Sequence, residues 1–152
     1  MLHTARVWQA GGQPGVHPGQ YVPIKWTNIE YDPAGFLTIY PGDTSKLVCP
    51  AGGAGLYDLG CQVGGVFQEG NFGYEFGIAK NGVYFTRKKV QAGDPDGCGG
   101  QIVLNPGDYV QLLIRHTVPS PLTLLAFGTL QPSLWLAKRG SVPGPDLVMV
   151  DA

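Results

Sequence analysis

Three observations predict an all-β domain, an antiparallel β-sandwich of about 8–10 short strands. Glycine and proline are frequent, 24 and 13 residues in a chain of 152, and follow no collagen period. Both are costly in a helix interior and natural at turns. Apolar runs recur between Gly, Pro, Asn and Asp clusters at the spacing that marks sandwiches and barrels, and no longer stretch carries a helical period.

Ala5 to Trp8 is a short strand candidate, followed by Gly11-Gly12-Gln13-Pro14-Gly15 and His17-Pro18-Gly19. Residues 1–20 hold too little apolar material for a core of their own and are expected to form an N-terminal arm or a wandering edge. From Tyr21 strands and turns alternate. Val22 to Ile29 alternates, Asp32-Pro33-Ala34-Gly35 turns the chain, Phe36 to Tyr40 follows, and Lys46 to Cys49 is short. Leu56 to Phe67 is a long strand. Phe72 to Ala79 and Val83 to Val90 flank Lys80-Asn81-Gly82, and Asn-Gly between two such runs is the strongest short hairpin signal. Gly93 to Gly100 is expected to be a Gly/Asp loop. Ile102 to Leu104 and Tyr109 to Thr117 flank a second hairpin turn, Asn105-Pro106-Gly107-Asp108. Leu122 to Leu130 and Leu134 to Lys138 complete one domain over residues 21–139, with residues 140–152 as an extended Pro/Gly-rich tail. In Tyr109 to Thr117, Val110, Leu112 and Ile114 point to one face and Tyr109, Gln111, Leu113 and Arg115 to the other.

The hydrophobic fraction, 43%, supports a real core, while charged residues reach only 14%, against about 25% in ordinary soluble domains. A surface so poor in charge predicts cover by another subunit or a larger assembly. The formal net charge of −1 leaves no electrostatic footprint for nucleic acid or an anionic membrane as partner. Arg87-Lys88-Lys89 and Lys138-Arg139 are read as solvated strand ends. Met1 to Ala10 lack an apolar signal core, and the run Leu122 to Phe127 is too short to span a bilayer. Cys49, Cys61 and Cys98 are an odd number at unrelated spacings and suggest no disulfide framework, so free thiols and synthesis in a reducing cytoplasm are expected.

Gly55-Leu56-Tyr57 opening a long strand, then Ile78-Ala79-Lys80-Asn81-Gly82, Gly99-Gly100, Leu104, Gly107-Asp108-Tyr109-Val110 and the final apolar strand from Ser133 to Leu136 together resemble the tumour necrosis factor superfamily and the globular head of the complement recognition subcomponent. The resemblance spans about Val22 to Leu136 and implies a jelly roll that assembles as a homotrimer. It places one face of the strands at Tyr57 and Tyr109 on the threefold axis, with Tyr57, Leu59, Tyr109, Gln111 and Leu113 as interface candidates. Packing inside the sandwich core is the other reading of these tyrosines. The same jelly roll occurs in bacteriophage virions, and a short, low-charge chain with open arms resembles a capsid decoration protein more than a secreted cytokine. That likeness implies a structural protein at the capsid surface, made in the host cytoplasm, clamping the major capsid protein. Leu147, Val148, Met149 and Val150 form an apolar cluster in the tail and are the expected capsid contact. The alternative is a receptor- or glycan-binding trimeric head, a fibre tip or complement-head-like domain, whose loops Gly93 to Gly100 and Thr117 to Pro121 carry recognition.

Catalytic and cofactor chemistry finds little purchase. Gly52-Gly53-Ala54-Gly55 lacks the third glycine of a dinucleotide fingerprint, since position 58 is Asp58, and no helix follows. Asp94-Pro95-Asp96-Gly97 lacks the oxygen ligands and terminal Glu of a calcium loop, and the cysteines lack paired Cys-x-x-Cys spacing for zinc. No Gly-x-Ser-x-Gly elbow is present, and His116 at a strand end is expected to be hydrogen-bonded or solvent-facing. Glu69 and Glu75 could be brought close by strand pairing, but nothing singles them out as a glycosidase pair. The expectation is a non-enzymatic protein without cofactor or metal.

Overall fold

The computed structural model describes residues 2–37, 43–63, 72–91, 96–124 and 131–140. These form strands β1 (Thr4–Trp8), β2 (Gln13–Val16), β3 (Val22–Pro23), β4 (Asn28–Tyr31), β5 (Leu47–Val48), β6 (Gly55–Val63), β7 (Gly73–Lys80), β8 (Val83–Gln91), β9 (Asp96–Leu104), β10 (Tyr109–His116), β11 (Leu122–Leu124) and β12 (Ser133–Gly140). One sheet has the order β4-β1-β12-β6-β9 and a second the order β3-β10-β7-β8, with β5 also paired to β10, while β11 pairs β2. All pairings described are antiparallel. The all-β sandwich expected from the turn spacing is the fold observed.

The core lies between the two sheets and follows strand alternation. Ala5 and Val7, Tyr57, Leu59 and Cys61, Leu134 and Leu136, and Ile102 and Leu104 point inward from the first sheet. Tyr74, Phe76 and Ile78 and Val110, Leu112 and Ile114 answer them from the second. The jump between sheets occurs around Tyr21 to Tyr31. The single strand expected from Val22 to Ile29 is divided, because β3 pairs β10 in one sheet and β4 pairs β1 in the other. Between them Ile24 and Trp26 stay buried and their N–H groups donate to Leu112 O and Thr44 O. The chain therefore crosses an edge of the sandwich without leaving backbone donors unpaired.

The N-terminal arm is corrected. β1 is an interior strand, paired with β12 on one side and β4 on the other, and Ala5, Val7 and Val16 are wholly buried. The side chain of Gln13 donates to Pro23 O and accepts from the Lys25 N–H. His116 Nε2 donates to Val16 O at 2.6 Å. Two small apolar residues suffice because the core they complete is supplied by distant strands. The Gly93 to Gly100 loop is corrected in part: Asp96 to Gly100 continue β9 along the whole of β6, while residues 92–95 lie outside the described residues. Glycines permit this because the two backbones run so close that a Cβ at Gly99 would sit 2.6 Å from Leu59 O, a close approach for which strand glycines are suited.

The Asn-Gly hairpin forms as expected between β7 and β8, with Asn81 at φ 51° and Gly82 at φ 85°, the double left-handed turn that matches strand twist. Asn81 Nδ2 donates to Asp108 Oδ1, and Asn81 Oδ1 accepts from the Tyr109 N–H, each at 3.0 Å. Asp108 Oδ2 accepts from the Asn105 N–H at 2.8 Å. One side-chain network thus joins the β7–β8 hairpin to the turn between β9 and β10, which corrects the second hairpin expected there: β9 pairs β6 in the first sheet and β10 pairs β7 in the second, so this turn carries the chain from one sheet to the other. The hydrogen bonds from Asn105 and Asn81, with Lys80 nearby, hold the Asp108 carboxyl below its ordinary range.

Candidate functional site

Two of the interface candidates are corrected by their orientation. Tyr57 and Leu59 are inward residues of β6 and are essentially inaccessible. The Tyr57 hydroxyl donates to Gly53 O at 2.6 Å, its ring meets Phe36 edge-on at 5.8 Å, and burial pushes its phenol upward. The inner side of β6 is needed for the core, so the core reading of Tyr57 holds. Tyr109, Gln111 and Leu113 do point away from the core, since Val110, Leu112 and Ile114 alternate with them inward. Their own chain already covers them in part. Gln111 Nε2 donates to Ser45 Oγ at 2.8 Å in a buried bond, and the Lys46 ammonium lies 4.3 Å from the Tyr109 ring centre. Leu147, Val148, Met149 and Val150 lie outside the described residues.

The outer face of the first sheet offers a different surface. Register places Arg6, Trp135, Gly60 and Gly99 in one row across four strands. The rows on either side run Trp8, Ser133, Gln62, Gly97 and Thr4, Ala137, Asp58, Gln101. Half-buried Trp135 lies flat on Gly60, where an added Cβ would meet its indole at 2.7 Å. Beside it Gly97, Gly99 and Ala137 leave a trough of about 570 Å³ floored by backbone. The Nε1 donor of Trp8 is buried without a hydrogen-bond partner among the described residues. Ile29 and Tyr31, on the adjoining strand β4, are 47% and 41% exposed. This face carries large aromatics and ends at β9, an edge strand paired only with β6 among the described residues.

The second sheet carries a raised shelf on its outer side. Tyr21 and Tyr84 meet edge-to-face at 5.4 Å, with Arg115 over Tyr21 at 5.5 Å and Arg87 over Tyr84 at 5.6 Å. Leu113 forms the floor of an open cavity beside them. Burial, with Glu75 and Tyr21 adjacent, pushes the Tyr84 phenol upward, so it remains a neutral donor, and its hydroxyl has no hydrogen-bond partner among the described residues. Aromatic faces flanked by guanidinium groups can stack on a planar or sugar ring and hydrogen-bond its polar edge.

Among the described residues neither face presents a nucleophile beside a base. His116 is used structurally, and among the described residues no three His, Cys, Asp or Glu side chains converge as metal ligands. Glu69, Asp94 and Pro95 lie outside the described residues, while Asp96 is held by Lys88 Nζ at 2.8 Å. Reasoning from sequence missed Trp8, Trp135, Tyr21 and Tyr84. Trp8 and Trp135 are separated by most of the chain and share a face only through the β1–β12 register. Tyr21 precedes a two-residue strand that carried no alternation signal of its own.

No family model matches the chain, and no curated protein matches it in sequence. Solved structures do resemble it. A crystal structure of murine APRIL at pH 5.0 has a TM-score of 0.64 at 14% identity, covering 91% of this chain and 99% of that one. A second, at pH 8.5, has a TM-score of 0.65 at 15% identity, covering 89% and 97%. The globular domain of zebrafish complement 1qA protein has a TM-score of 0.62 at 12% identity, covering 91% and 98%. At such identities the likeness concerns architecture and leaves function to be argued from the surface. The fold of this chain is the jelly roll shared by the tumour necrosis factor and complement-head proteins.

Proposed function

We propose that the chain is a non-enzymatic module that works as a homotrimer, with the outer face of the first sheet covered by a neighbouring copy. The observation that carries this reading is the outer face where Trp135 lies over Gly60, open beside Gly97 and Gly99 and bordered by the exposed Ile29 and Tyr31. A face meeting a different element, such as the β9 edge, makes a heterologous contact, which closes into a ring when its rotation permits. The low charge of the chain supports covered surface, and the resemblance to the tumour necrosis factor superfamily supports three as the number. Light scattering at micromolar concentration is expected to give the mass of three chains, and a monomer at that concentration refutes the proposal.

The finer role we assign is decoration of a virion capsid surface, with the major capsid protein as partner. Its support is compositional: few charges, and the apolar run Leu147 to Val150 in a Gly/Pro-rich tail. Deleting residues 144–152 is expected to weaken attachment to undecorated shells while leaving the melt of the free protein nearly unchanged. Equal decoration by the truncated chain removes the tail from that role. A recognition head is the second reading, and the Tyr21–Tyr84 shelf with its two stacked arginines favours it. Glycan-array binding that is lost on Tyr84→Ala, without shell binding by the parent chain, decides for the head.

A further inference from the structure

Cys61 and Cys98 occupy the same register position of β6 and β9, with their sulfurs 3.5 Å apart. Both side chains lie on the inner side of the first sheet, Cys61 within the core and Cys98 half-buried against it. Directly opposed residues of an antiparallel pair have Cα atoms about 4.5–5.5 Å apart, inside the span of about 4.4–6.8 Å that a disulfide bridges. The strands therefore need no rearrangement to be joined.

We propose that Cys61 and Cys98 form a dithiol site that closes to a cross-strand disulfide when the native protein meets a low-molecular-weight disulfide such as oxidised glutathione, tying the edge strand β9 to β6. The inference is independent of the oligomeric state. The two sulfurs have different roles. The hydrogen bond shared with Cys61, the Thr86 hydroxyl, the Ile78 backbone and the charge of Lys88 hold the Cys98 thiol below its ordinary range against its burial. Cys61 is pushed the other way, by its hydrogen bond to Cys98 and by burial. The thiol that ionises more readily supplies the attacking thiolate, which assigns that part to Cys98, the more accessible of the two.

Cys98 thiolate attacks one sulfur of the glutathione disulfide, forming a mixed disulfide and releasing one glutathione thiolate. The Cys61 sulfur then attacks the Cys98 sulfur, its proton passes to the departing second glutathione thiolate, and the protein disulfide is complete. The two protein thiols are oxidised by two electrons, and one glutathione disulfide becomes two glutathione thiols. Cys49 takes no part: it is buried beside Tyr57 and Gly53, and burial raises its thiol.

The test is incubation of the folded, reduced full chain in graded mixtures of oxidised and reduced glutathione, followed by acid quench, alkylation and peptide mapping. The expected product is a monomeric chain lighter by two hydrogens, with Cys61 linked to Cys98 and Cys49 alkylated. Cys49→Ser is expected to give the same link, and Cys98→Ser to give none. Because the bridge closes a long loop of the unfolded chain, the oxidised form is expected to melt about 10 °C higher. The proposal is overturned if the folded chain keeps three free thiols under conditions that oxidise it in urea. It is equally overturned by a Cys98–glutathione adduct that Cys61 fails to resolve, by pairing that involves Cys49, or by links between chains.

Discussion

The two outer faces of the sandwich are shaped by opposite means. On the first sheet side chains are taken away: Gly60, Gly97 and Gly99 leave backbone as the floor, and Trp135, in the row of Gly60 and Gly99, lies down on Gly60. On the second sheet side chains are piled up, with Tyr21 against Tyr84 and an arginine over each. Glycine also serves close strand-to-strand approach, at Gly97 and Gly99, where a Cβ would strike the β6 backbone, and at Gly77 in the second sheet. A Cβ on Gly77 would reach 2.7 Å from Arg87 Cα, so that glycine serves strand-to-strand approach beside an irregular register in β7 and β8. Glycine in a strand thus has two meanings here, clearance between strands and room on an outer face, and only the second bears on association.

The sharpest way to break this contrast is to fill each kind of glycine. Gly77→Ala forces a methyl group into the β8 backbone and is expected to cost about 3 kcal/mol, seen as a large fall in the urea midpoint. Gly60→Ala first strikes the Trp135 ring, which can lift, so about 1–2 kcal/mol is expected in the fold. Its larger consequence is at the surface, where light scattering should show a smaller particle at concentrations at which the parent chain associates. A Gly60→Ala chain that associates as well as the parent separates that room from assembly.

Smaller effects sharpen the comparison at the turns and on the shelf. Asp108→Ala removes the acceptor that joins the β7–β8 and β9–β10 turns and is expected to cost about 1 kcal/mol. The pH dependence has a definite sign. Asp108 holds its proton less firmly folded than unfolded, so its contribution is complete above the unfolded value of about 3.9 and is lost as pH falls through the lower folded value. A parent-minus-variant stability difference that persists well below that window contradicts the assignment. Arg115→Ala, on the exposed shelf, is expected to change stability by no more than about 0.5 kcal/mol, measured by thermal melt, leaving any loss of glycan binding attributable to the shelf.

Much of the fold was legible along the chain because it depends on local chemistry. Asn81-Gly82 and Asn105-Pro106-Gly107-Asp108 make turns at the expected places, and the alternation in β10 assigns its two faces correctly. What failed did so where a residue's environment comes from afar. Residues Thr4 to Trp8 look too slight for a core, yet β12 and β4 enclose them. Asp96 to Gly100 look like a loop, because glycine is depleted in strands unless another backbone presses close, and that neighbour, β6, is more than thirty residues earlier. The spacing of Cys61 and Cys98 carries no disulfide signal, although register sets them face to face.

By itself the sequence determined strand period, turn sites and the scarcity of charge, since these reside in side-chain type and in backbone preferences of one or a few residues. Tertiary structure alone decided which strands are interior, that Tyr57 and Leu59 belong to the core, and which distant residues share a face. The physical reason is register. In a sheet a side chain's neighbours are set by pairing between remote segments, and sliding that pairing by one residue would turn every one of them to the opposite side.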